Sequence, residues 1–466
     1  MHAASRRLPL RTALPFSAPQ IPIAAVGLVA AVYLPNYFAG HLALSMTAIG
    51  LVWMSVRLID LPVDVVLAVL MDHTRSRFGR YRLWLVAGAP VSVIALYALF
   101  MAPPSMNTHE MFWWLFALAL GLSILNLAHQ AWAATLAPHY DERSRLFGWM
   151  NAIGIVGVLA AMAVLIAGPS FGLDSAASVR ACGWFLIVAT PLGVMSALIA
   201  AREFIPPDAP RRPKLGDYLE VLAKPDLLRL FFAQLALSLG PNWMSAIYLF
   251  FFTASRGFTT QQASILLGIY ILFGIPGALL TAMLAGRIGK HRALMVTAAA
   301  FALALPMIMA APRGDFWVIA PMMAFEGVVA AGFGMMIQAM LADVGDEIRL
   351  TQGRQQMSLV YSVNTLAAKL ALAASLGMTF PLLEALGFNP REGAVNTPAA
   401  LHNLDLAFLA GPMFFVLLGA ACVIGWRLDG ARHEEIRTKL ATRDAELAIA
   451  EAALSSASIS IGIKAP

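Results

Sequence analysis

Residues 46–82 read MTAIGLVWMSVRLIDLPVDVVLAVLMDHTRSRFGRYR, an apolar run with three charged residues inside it and a basic segment after it. The run from Met46 to Met71 is longer than the roughly 20 residues that an α-helix needs to cross a membrane. The stretch therefore predicts a transmembrane helix that carries charge within the bilayer and leads into a short loop.

Eleven more apolar runs of similar length follow or precede this one. The chain has 466 residues, of which 60% are hydrophobic and 12% charged, whereas a water-soluble domain has about 25% charged residues. The sequence predicts an all-α integral membrane protein with 12 transmembrane helices and excludes a large soluble domain. The other runs begin near residues 19, 83, 111, 147, 181, 227, 261, 293, 316, 357 and 402.

The net charge of +6 indicates how the chain is oriented in the membrane. With 12 crossings, 25 of the 32 Lys and Arg residues fall in segments on one side. The positive-inside rule then predicts an inner (plasma) membrane protein with both termini in the cytoplasm. Because topology explains the basic residues, we expect no nucleic-acid partner.

Two short motifs recur at similar offsets. RFGRYR at residues 77–82 matches RIGKHR at 287–292, and ATLA at 134–137 matches AMLA at 339–342. The matches predict two six-helix bundles, residues 1–200 and 227–428, joined by a cytoplasmic linker at 201–226. Two related halves with a site between them are typical of alternating-access transporters. Residues 429–466 form a tail, for which we expect a solvated charged face.

Ionisable side chains inside the second span are the most informative residues, because each costs about 3 kcal/mol to insert and such groups mark ion paths. Trp53, Arg57, Asp60 and Asp64 are spaced four, three and four apart, which places them on one helical face. We predict that the two carboxylates bind a coupling cation. The alternative is an internal ladder in which Arg57 neutralises Asp60.

Span 4 has a polar face formed by Ser123, Asn126 and Gln130. These side chains suit a ligand site, but hydrogen bonds between helices are an alternative role. His129 lies beside them and is interpreted as a packing or hydrogen-bonded histidine, since no second histidine has metal-ligand spacing.

Spans 10 and 11 add two more charges at depth. Lys369 lies near the midplane of span 11 on the same face as Tyr361. A lysine at that depth needs a carboxylate, a carbonyl or an anionic substrate. Glu326 in span 10 is its nearest predicted partner by depth, so we place Arg57 and Glu326 in a charge network.

Spans 1 and 7 combine hydrogen-bonding and aromatic side chains, a pattern that suits a polyhydroxylated ligand but also occurs in plain packing. In span 7, Gln234, Ser238 and Asn242 are spaced four apart and Trp243 follows. The predicted substrate-binding residues are Tyr33, Asn36, Tyr37, Asn126, Gln130, Trp243, Tyr361 and Lys369.

The loop after span 2 is a candidate gate. Asp72, Arg77, Gly79 and Arg80 lie in a short charged segment that recurs in the second half. We predict that they form a cytoplasmic latch whose ion pairs favour one access state.

Several function classes are excluded. No phosphate-binding G-x-x-x-x-G-K motif occurs, and no nucleophile lies beside a base. The two cysteines, Cys182 and Cys422, are far apart in sequence, which excludes a thiolate metal site or a disulfide framework. We expect no enzyme activity, no cofactor and no resident metal. The expected partners of this monomer are a small-molecule substrate, a coupling cation and the lipid bilayer.

Four segments resemble the glycoside-pentoside-hexuronide:cation symporters of the major facilitator superfamily. They are RLIDLPVDVVLAVLMDHTRSRFGRYRLW (57–84), LAPHYDERSRLFG (136–148), LADVGDEIRLTQGR (341–354) and VNTLAAKLALAASLG (363–377). The resemblance covers almost the whole chain. It implies a major facilitator fold and a cation site at Asp60, Asp64 and Ser123.

The chain departs from the family's type member at substrate positions. Ala24 and Asn126 stand where that protein has aspartates, so galactoside recognition is not implied. The leading function is therefore cation-coupled symport of a small polar, sugar-like solute. The alternatives are a carrier of an amphipathic or lipid-like substrate, which Ala24 would suit, and a membrane protein that does not transport.

The choice of coupling ion depends on Val63, which replaces an asparagine ligand of the family. A dehydrated sodium ion needs several oxygen ligands, while a proton needs one carboxylate whose pKa is raised by burial and a like charge. Arg57 opposes that shift. The sequence favours protons over sodium.

Overall fold

The computed structural model describes residues 9–446 except positions 43, 75, 77, 138–139, 202, 204–223, 353–356, 392, 429, 431 and 444. This part of the chain is built from helices and their connections. The α-helices are α1 (Leu10–Ser17), α2 (Gln20–His41), α3 (Met46–His73), α4 (Tyr81–Phe100), α5 (Thr108–Leu136), α6 (Tyr140–Ala167), α7 (Ser175–Ala200), α8 (Pro225–Phe250), α9 (Thr260–Ile288), α10 (Lys290–Ala310), α11 (Phe316–Gln352), α12 (Met357–Ala385) and α13 (Pro398–Ala421).

Twelve membrane crossings fit these helices. Within the described residues, 11 helical segments are long and apolar enough to cross a membrane. The remaining crossing is α3, whose 28 residues measure about 42 Å. The first crossing is Leu10–His41, which joins α1 and α2 across a break near Pro19. It begins earlier than the expected start near residue 19.

Side-chain caps fix where several helices begin. At α5, Asn107 accepts from the Glu110 N–H at 3.0 Å and the Glu110 carboxylate accepts from the Asn107 N–H at 3.2 Å. Thr259 and Gln262 form the same capping box at α9. Such boxes satisfy backbone donors that the first helical turn leaves unpaired. Both capping boxes lie on the side of the molecule opposite the basic loops. This side is called the predicted outer end below.

The helices form two bundles. In the first, α4 packs on α5 and α7, and α2 packs on α6. In the second, α9 packs on α11, and α8 packs on α12 and α13. The bundles meet where α3 contacts α12, α2 contacts α8 and α6 contacts α9. The largest inter-bundle contact is therefore made by the helix that carries Asp60 and Asp64.

The bundles are joined at the predicted outer end. The Tyr33 hydroxyl of α2 donates to Ser264 Oγ of α9 at 2.9 Å. The Ser45 hydroxyl before α3 donates to the Glu384 carboxylate of α12, also at 2.9 Å. These bonds hold the outer end closed.

Close backbone packing reinforces this closure. A Cβ added at Gly50 of α3 would lie 2.6 Å from the Leu376 carbonyl oxygen and 3.0 Å from Phe380 Cβ of α12. Only glycine fits there without displacing one of the two helices.

The tail packs against the second bundle. Residues 432–443 are helical. Within this helix, Ile436 and Leu440 are 1% and 5% exposed. His433 Nε2 lies 3.2 Å from Asp346 Oδ2 near the inner end of α11. At 37 residues, α11 is about 55 Å long and extends beyond a bilayer core. Glu434, Arg437 and Lys439 of this segment are exposed, as expected of a solvated charged face, while the face with Ile436 and Leu440 packs against the second bundle.

Candidate cation and substrate site

The site is organised by the charged face of α3. The helix begins at Ser45, whose Oγ accepts from the Ala48 N–H at 3.3 Å. Asp60 is 3% exposed although its side chain is ionisable. The Ser123 hydroxyl of α5 donates to Asp60 Oδ1 at 2.8 Å. The predicted cation residues of spans 2 and 4 are therefore in direct contact.

Lys369 reaches this face from the other bundle. Its Nζ lies 3.3 Å from Asp60 Oδ2 and forms an ion pair with Asp64 Oδ2. The lysine side chain is 31% exposed, against 4% for that of Asp60 and 20% for that of Asp64. The ammonium therefore occupies the place where a cation bridging both carboxylates would lie.

Glu326 is not the partner of Lys369. It lies on α11, is fully buried, and neither of its carboxylate oxygens has a hydrogen-bond partner within the described structure. Depth alone suggested the pairing, but α12 turns Lys369 toward α3. The two residues belong to different environments.

Arg57 does not form the ladder with Asp60 that was the alternative to a cation site. In the described residues, the ion pairs of Asp60 and Asp64 are made with Lys369. Arg57 borders a cavity of about 20 Å³, which has room for about one water molecule. When all four groups are ionised, their charges cancel.

The two carboxylates are not equivalent. Asp60 accepts from Ser123 on one oxygen and from Lys369 on the other. Asp64 Oδ1 is buried and has no partner within the described residues. An unsatisfied buried acceptor is costly, so Asp64 has an oxygen available for a proton or a cation.

The polar residues of α5 beyond Ser123 bond to each other. The Gln130 amide donates to Asn126 Oδ1 at 2.9 Å, and Gln130 is exposed. On α12, the exposed Tyr361 has its hydroxyl 3.5 Å from the Gln338 carbonyl oxygen of α11. These residues remain predicted substrate contacts.

The aromatic residues of span 1 lie toward the closed outer end. Tyr33 forms the bond to Ser264 described above, and Tyr37 stacks on His41 with ring centroids 5.2 Å apart. Asn36 is half-buried on the same helix. The Tyr33 bond crosses to the second bundle, whereas Asn36 and Tyr37 remain predicted substrate contacts.

Trp243 is a packing residue in this structure. It is 6% exposed, and its indole N–H donates to the Ala407 carbonyl of α13 at 2.9 Å. Its neighbour Asn242 lines a cavity instead. His129 is also buried and hydrogen-bonded, at 2.8 Å to the Phe16 carbonyl, as its interpretation as a packing residue predicted.

Sequence reasoning missed two cavities. One of about 140 Å³ lies by α2 and α6 and includes Gln20, Ala24 and Asn151. The other, of about 360 Å³, lies among α8, α9 and α11. Ile271 lines both. The spacing of Gln234, Ser238 and Asn242 was the available signal for the larger one.

The predicted gating loop is described in part. Arg77 and the side chain of Asp72 lie outside the described residues. Gly79 has φ +109°, and a Cβ there would collide with the Glu203 carboxylate. Glu203 accepts from the Arg80 and Tyr81 N–H groups, each at 2.9 Å. The described contacts thus cap α4 within the first bundle, and the latch stays a prediction.

The matching loop of the second bundle contains an ion pair. Lys290 Nζ lies 2.6 Å from Asp343 Oδ1, so α10 is tied to α11. This tie also lies within one bundle.

Comparison with known proteins decides the family. The model of the family described as MFS/sugar transport protein matches residues 15–430. The chain belongs to this family. The protein is therefore a multi-pass membrane transporter with a major facilitator fold, and it is not an enzyme.

Two relatives within this transporter family have names that specify their solutes. The chain is 24% identical over 427 residues to a lactose permease of Lactobacillus delbrueckii subsp. bulgaricus, covering 84% of this chain and 65% of the relative. It is 22% identical over 417 residues to an isoprimeverose transporter of Lactiplantibacillus pentosus, covering 85% and 84%. The chain thus spans slightly less than two thirds of the lactose permease.

A solved structure supports the major facilitator fold independently. A crystal structure of a mutant of the nucleoside transporter NupG superposes with a TM-score of 0.69 at 14% sequence identity. The match covers 90% of this chain and 100% of that one. At this identity the likeness is one of fold.

Proposed function

We propose that this transporter is a cation-coupled symporter of a neutral, sugar-like solute that works by alternating access. The observation that carries the proposal is the contact of Lys369 on α12 with Asp60 and Asp64 on α3. It joins a candidate ion site to the interface that must rearrange during transport. The sugar permeases among the relatives support the solute class.

Coupling follows from competition for the carboxylates. A cation that binds Asp60 and Asp64 must share or replace the contacts that Lys369 makes. Loading the site therefore weakens a bond between the bundles, and unloading restores it. A ligand shifts a conformational equilibrium only through such a difference in affinity between states.

Protons are the proposed coupling ion. Asp60, Asp64 and Ser123 offer few oxygen atoms for a bare sodium ion, and the neighbouring position is Val63. The Lys369 ammonium further occupies the space between the carboxylates. A proton needs only one carboxylate oxygen, and Asp64 Oδ1 is unpaired within the described residues.

The structure is closed at the predicted outer end, which supports assigning it to the inward-facing part of the cycle. We propose an inner (plasma) membrane location with cytoplasmic termini, and a monomer as the working unit. An amphipathic or lipid-like substrate has no support from the lactose and isoprimeverose transporters among the relatives, whose names specify sugars.

Uptake by reconstituted protein tests the proposal. The purified chain is placed in proteoliposomes, and a panel of radiolabelled neutral mono- and disaccharides is offered with and without an inward proton gradient. We expect at least one sugar to be concentrated only when the gradient is present. Equal entry of every sugar with and without protein would contradict the proposed function.

A further inference from the structure

The second bundle contains a cavity at mid-membrane depth. Its lining includes Gln234, Ser238 and Asn242, the polar face of span 7 noted in the sequence. It has a volume of about 360 Å³ and lies among α8, α9 and α11. Ser238, which lines it, is 13 residues from the start of α8 at Pro225, about 20 Å along the helix. The volume is near the lower end of the range for small-molecule pockets.

One wall of the cavity has an unsatisfied hydrogen-bond acceptor. Gln234 is 7% exposed, and its amide donates to Ser238 Oγ at 2.7 Å. Its Oε1 is buried without a partner in the described structure. Buried polar atoms are nearly always paired, so this oxygen lacks a donor that such an atom usually has within the described structure.

The remaining lining is uncharged and mostly apolar. Asn242 adds an amide, Tyr270 adds a phenol ring, and Gly274 and Gly327 leave backbone at the surface. Glu326 is adjacent in sequence to Gly327, but it is fully buried and is not among the residues that line the cavity. The cavity thus offers hydrogen bonds and no compensating charge.

The cavity extends toward the first bundle. Ile271 lines both this space and the cavity of about 140 Å³ that includes Gln20 and Asn151. A ligand held here lies at the interface between bundles, where both access states can reach it.

We propose that the α8–α9–α11 cavity binds one ring of a neutral, polyhydroxylated solute, with Gln234 and Asn242 as its hydrogen-bonding residues. The proposal rests on the proposed function, because it identifies the substrate wall of the same transporter. A ring hydroxyl donates to Gln234 Oε1, and the amide of Asn242 binds a second hydroxyl. A carboxylate-bearing sugar is excluded because it would enter a site without a cation.

Binding by the purified full-length protein tests the residues. The probes are methyl α-glucoside, methyl β-galactoside and methyl β-xyloside, with methyl β-glucuronide as the charged counterpart. We expect Gln234→Leu and Asn242→Leu to weaken binding of the preferred neutral glycoside at least tenfold. Thr297→Val is the matched control, since its hydroxyl bonds to the Ala293 carbonyl of its own helix at 3.0 Å. It should bind as the parent does.

Cysteine protection tests the location without altering the binding residues. Gly274→Cys, in a Cys422→Ser background, places a thiol in the cavity, where an added Cβ meets its nearest atom at 3.7 Å. The neutral glycoside should slow its alkylation several-fold. Gly286→Cys on the same helix has open space around its Cβ and should react at an unchanged rate.

The outcomes separate the two proposals. The parent could bind the glycoside while both leucine variants keep the same affinity and Gly274→Cys is not protected. That combination would overturn the cavity assignment alone. Glucuronide binding as tight as that of the neutral glycoside would also overturn it. Binding of none of the probes by the parent would remove the cavity assignment together with the proposed sugar specificity.

Discussion

Lys369 of α12 lies 3.3 Å from Asp60 of α3 and also pairs with Asp64, so one lysine connects the two bundles at the charged face of the membrane helices. Lysine and carboxylate come from different halves of a duplicated architecture. Neither bundle alone therefore contains a charge-balanced site, and the ion site and the moving interface share the same atoms.

Loss of either α3 carboxylate should uncouple transport. Asp60→Asn and Asp64→Asn should each reduce proton-driven accumulation to the level of protein-free liposomes, because they remove the groups that bind the cation. Asp226→Asn, in the first turn of α8, is the matched control and should accumulate normally. Accumulation at the parental level by both site variants would place the ion site elsewhere.

The coupling ion should be the proton. In sodium-free buffer, a pH gradient alone should drive sugar accumulation, since protonation of one carboxylate needs no further ligand. Added sodium at fixed pH should change the rate less than twofold. Strong stimulation by sodium without any response to the pH gradient would contradict proton coupling.

Closure of the outer end should depend on Gly50. Gly50→Ala places a methyl group against the Leu376 carbonyl, so it should separate α3 from α12 and slow uptake several-fold. Ser178 and Tyr33 both line a cavity of about 210 Å³. The cysteine of Ser178→Cys should then react faster with a membrane-impermeant maleimide. Gly27→Ala adds the same methyl group where no atom lies within 4 Å. Slow labelling in both variants would argue against this closure.

The tail should be held by apolar contacts. Ile436→Ala removes a side chain that is 1% exposed, and such core truncations cost about 2–5 kcal/mol. We expect faster cleavage of the tail by trypsin while the membrane bundles stay intact. Thr438→Ala changes an exposed residue of the same helix and should leave cleavage unchanged. Identical cleavage of both variants and the parent would show that Ile436 does not hold the tail.

The helices and the charged face of α3 were predictable from sequence. Apolar length fixes the crossings, and the spacing of Arg57, Asp60 and Asp64 fixes their common face, because both depend only on helix geometry. Rotation of one helix against another depends on packing over the whole surface. For that reason the prediction that Glu326 is the partner of Lys369 was wrong.

The orientation of two adjacent residues was also not predictable from the sequence. Asn242 and Trp243 are about 100° apart around α8, and sequence did not indicate which of them faces the cavity. The packed apolar face of the tail helix was missed for a related reason. Ile436 and Leu440 are four residues apart, a spacing that is typical of an apolar helix face. The surface that this face covers includes the extension of α11 beyond the bilayer, which the sequence did not predict.

The cancellation of charge among Arg57, Asp60, Asp64 and Lys369 has an electrical consequence. If one proton is added together with a neutral sugar, the loaded site carries one positive charge, while the empty site carries none. The loaded form then moves inward with the membrane voltage, and the empty form returns without opposing it. At about 2.3 kcal/mol per charge for each 100 mV, voltage alone could sustain roughly a 50-fold accumulation of sugar. In cells with no pH difference across the membrane, the voltage would still drive sugar accumulation by this carrier.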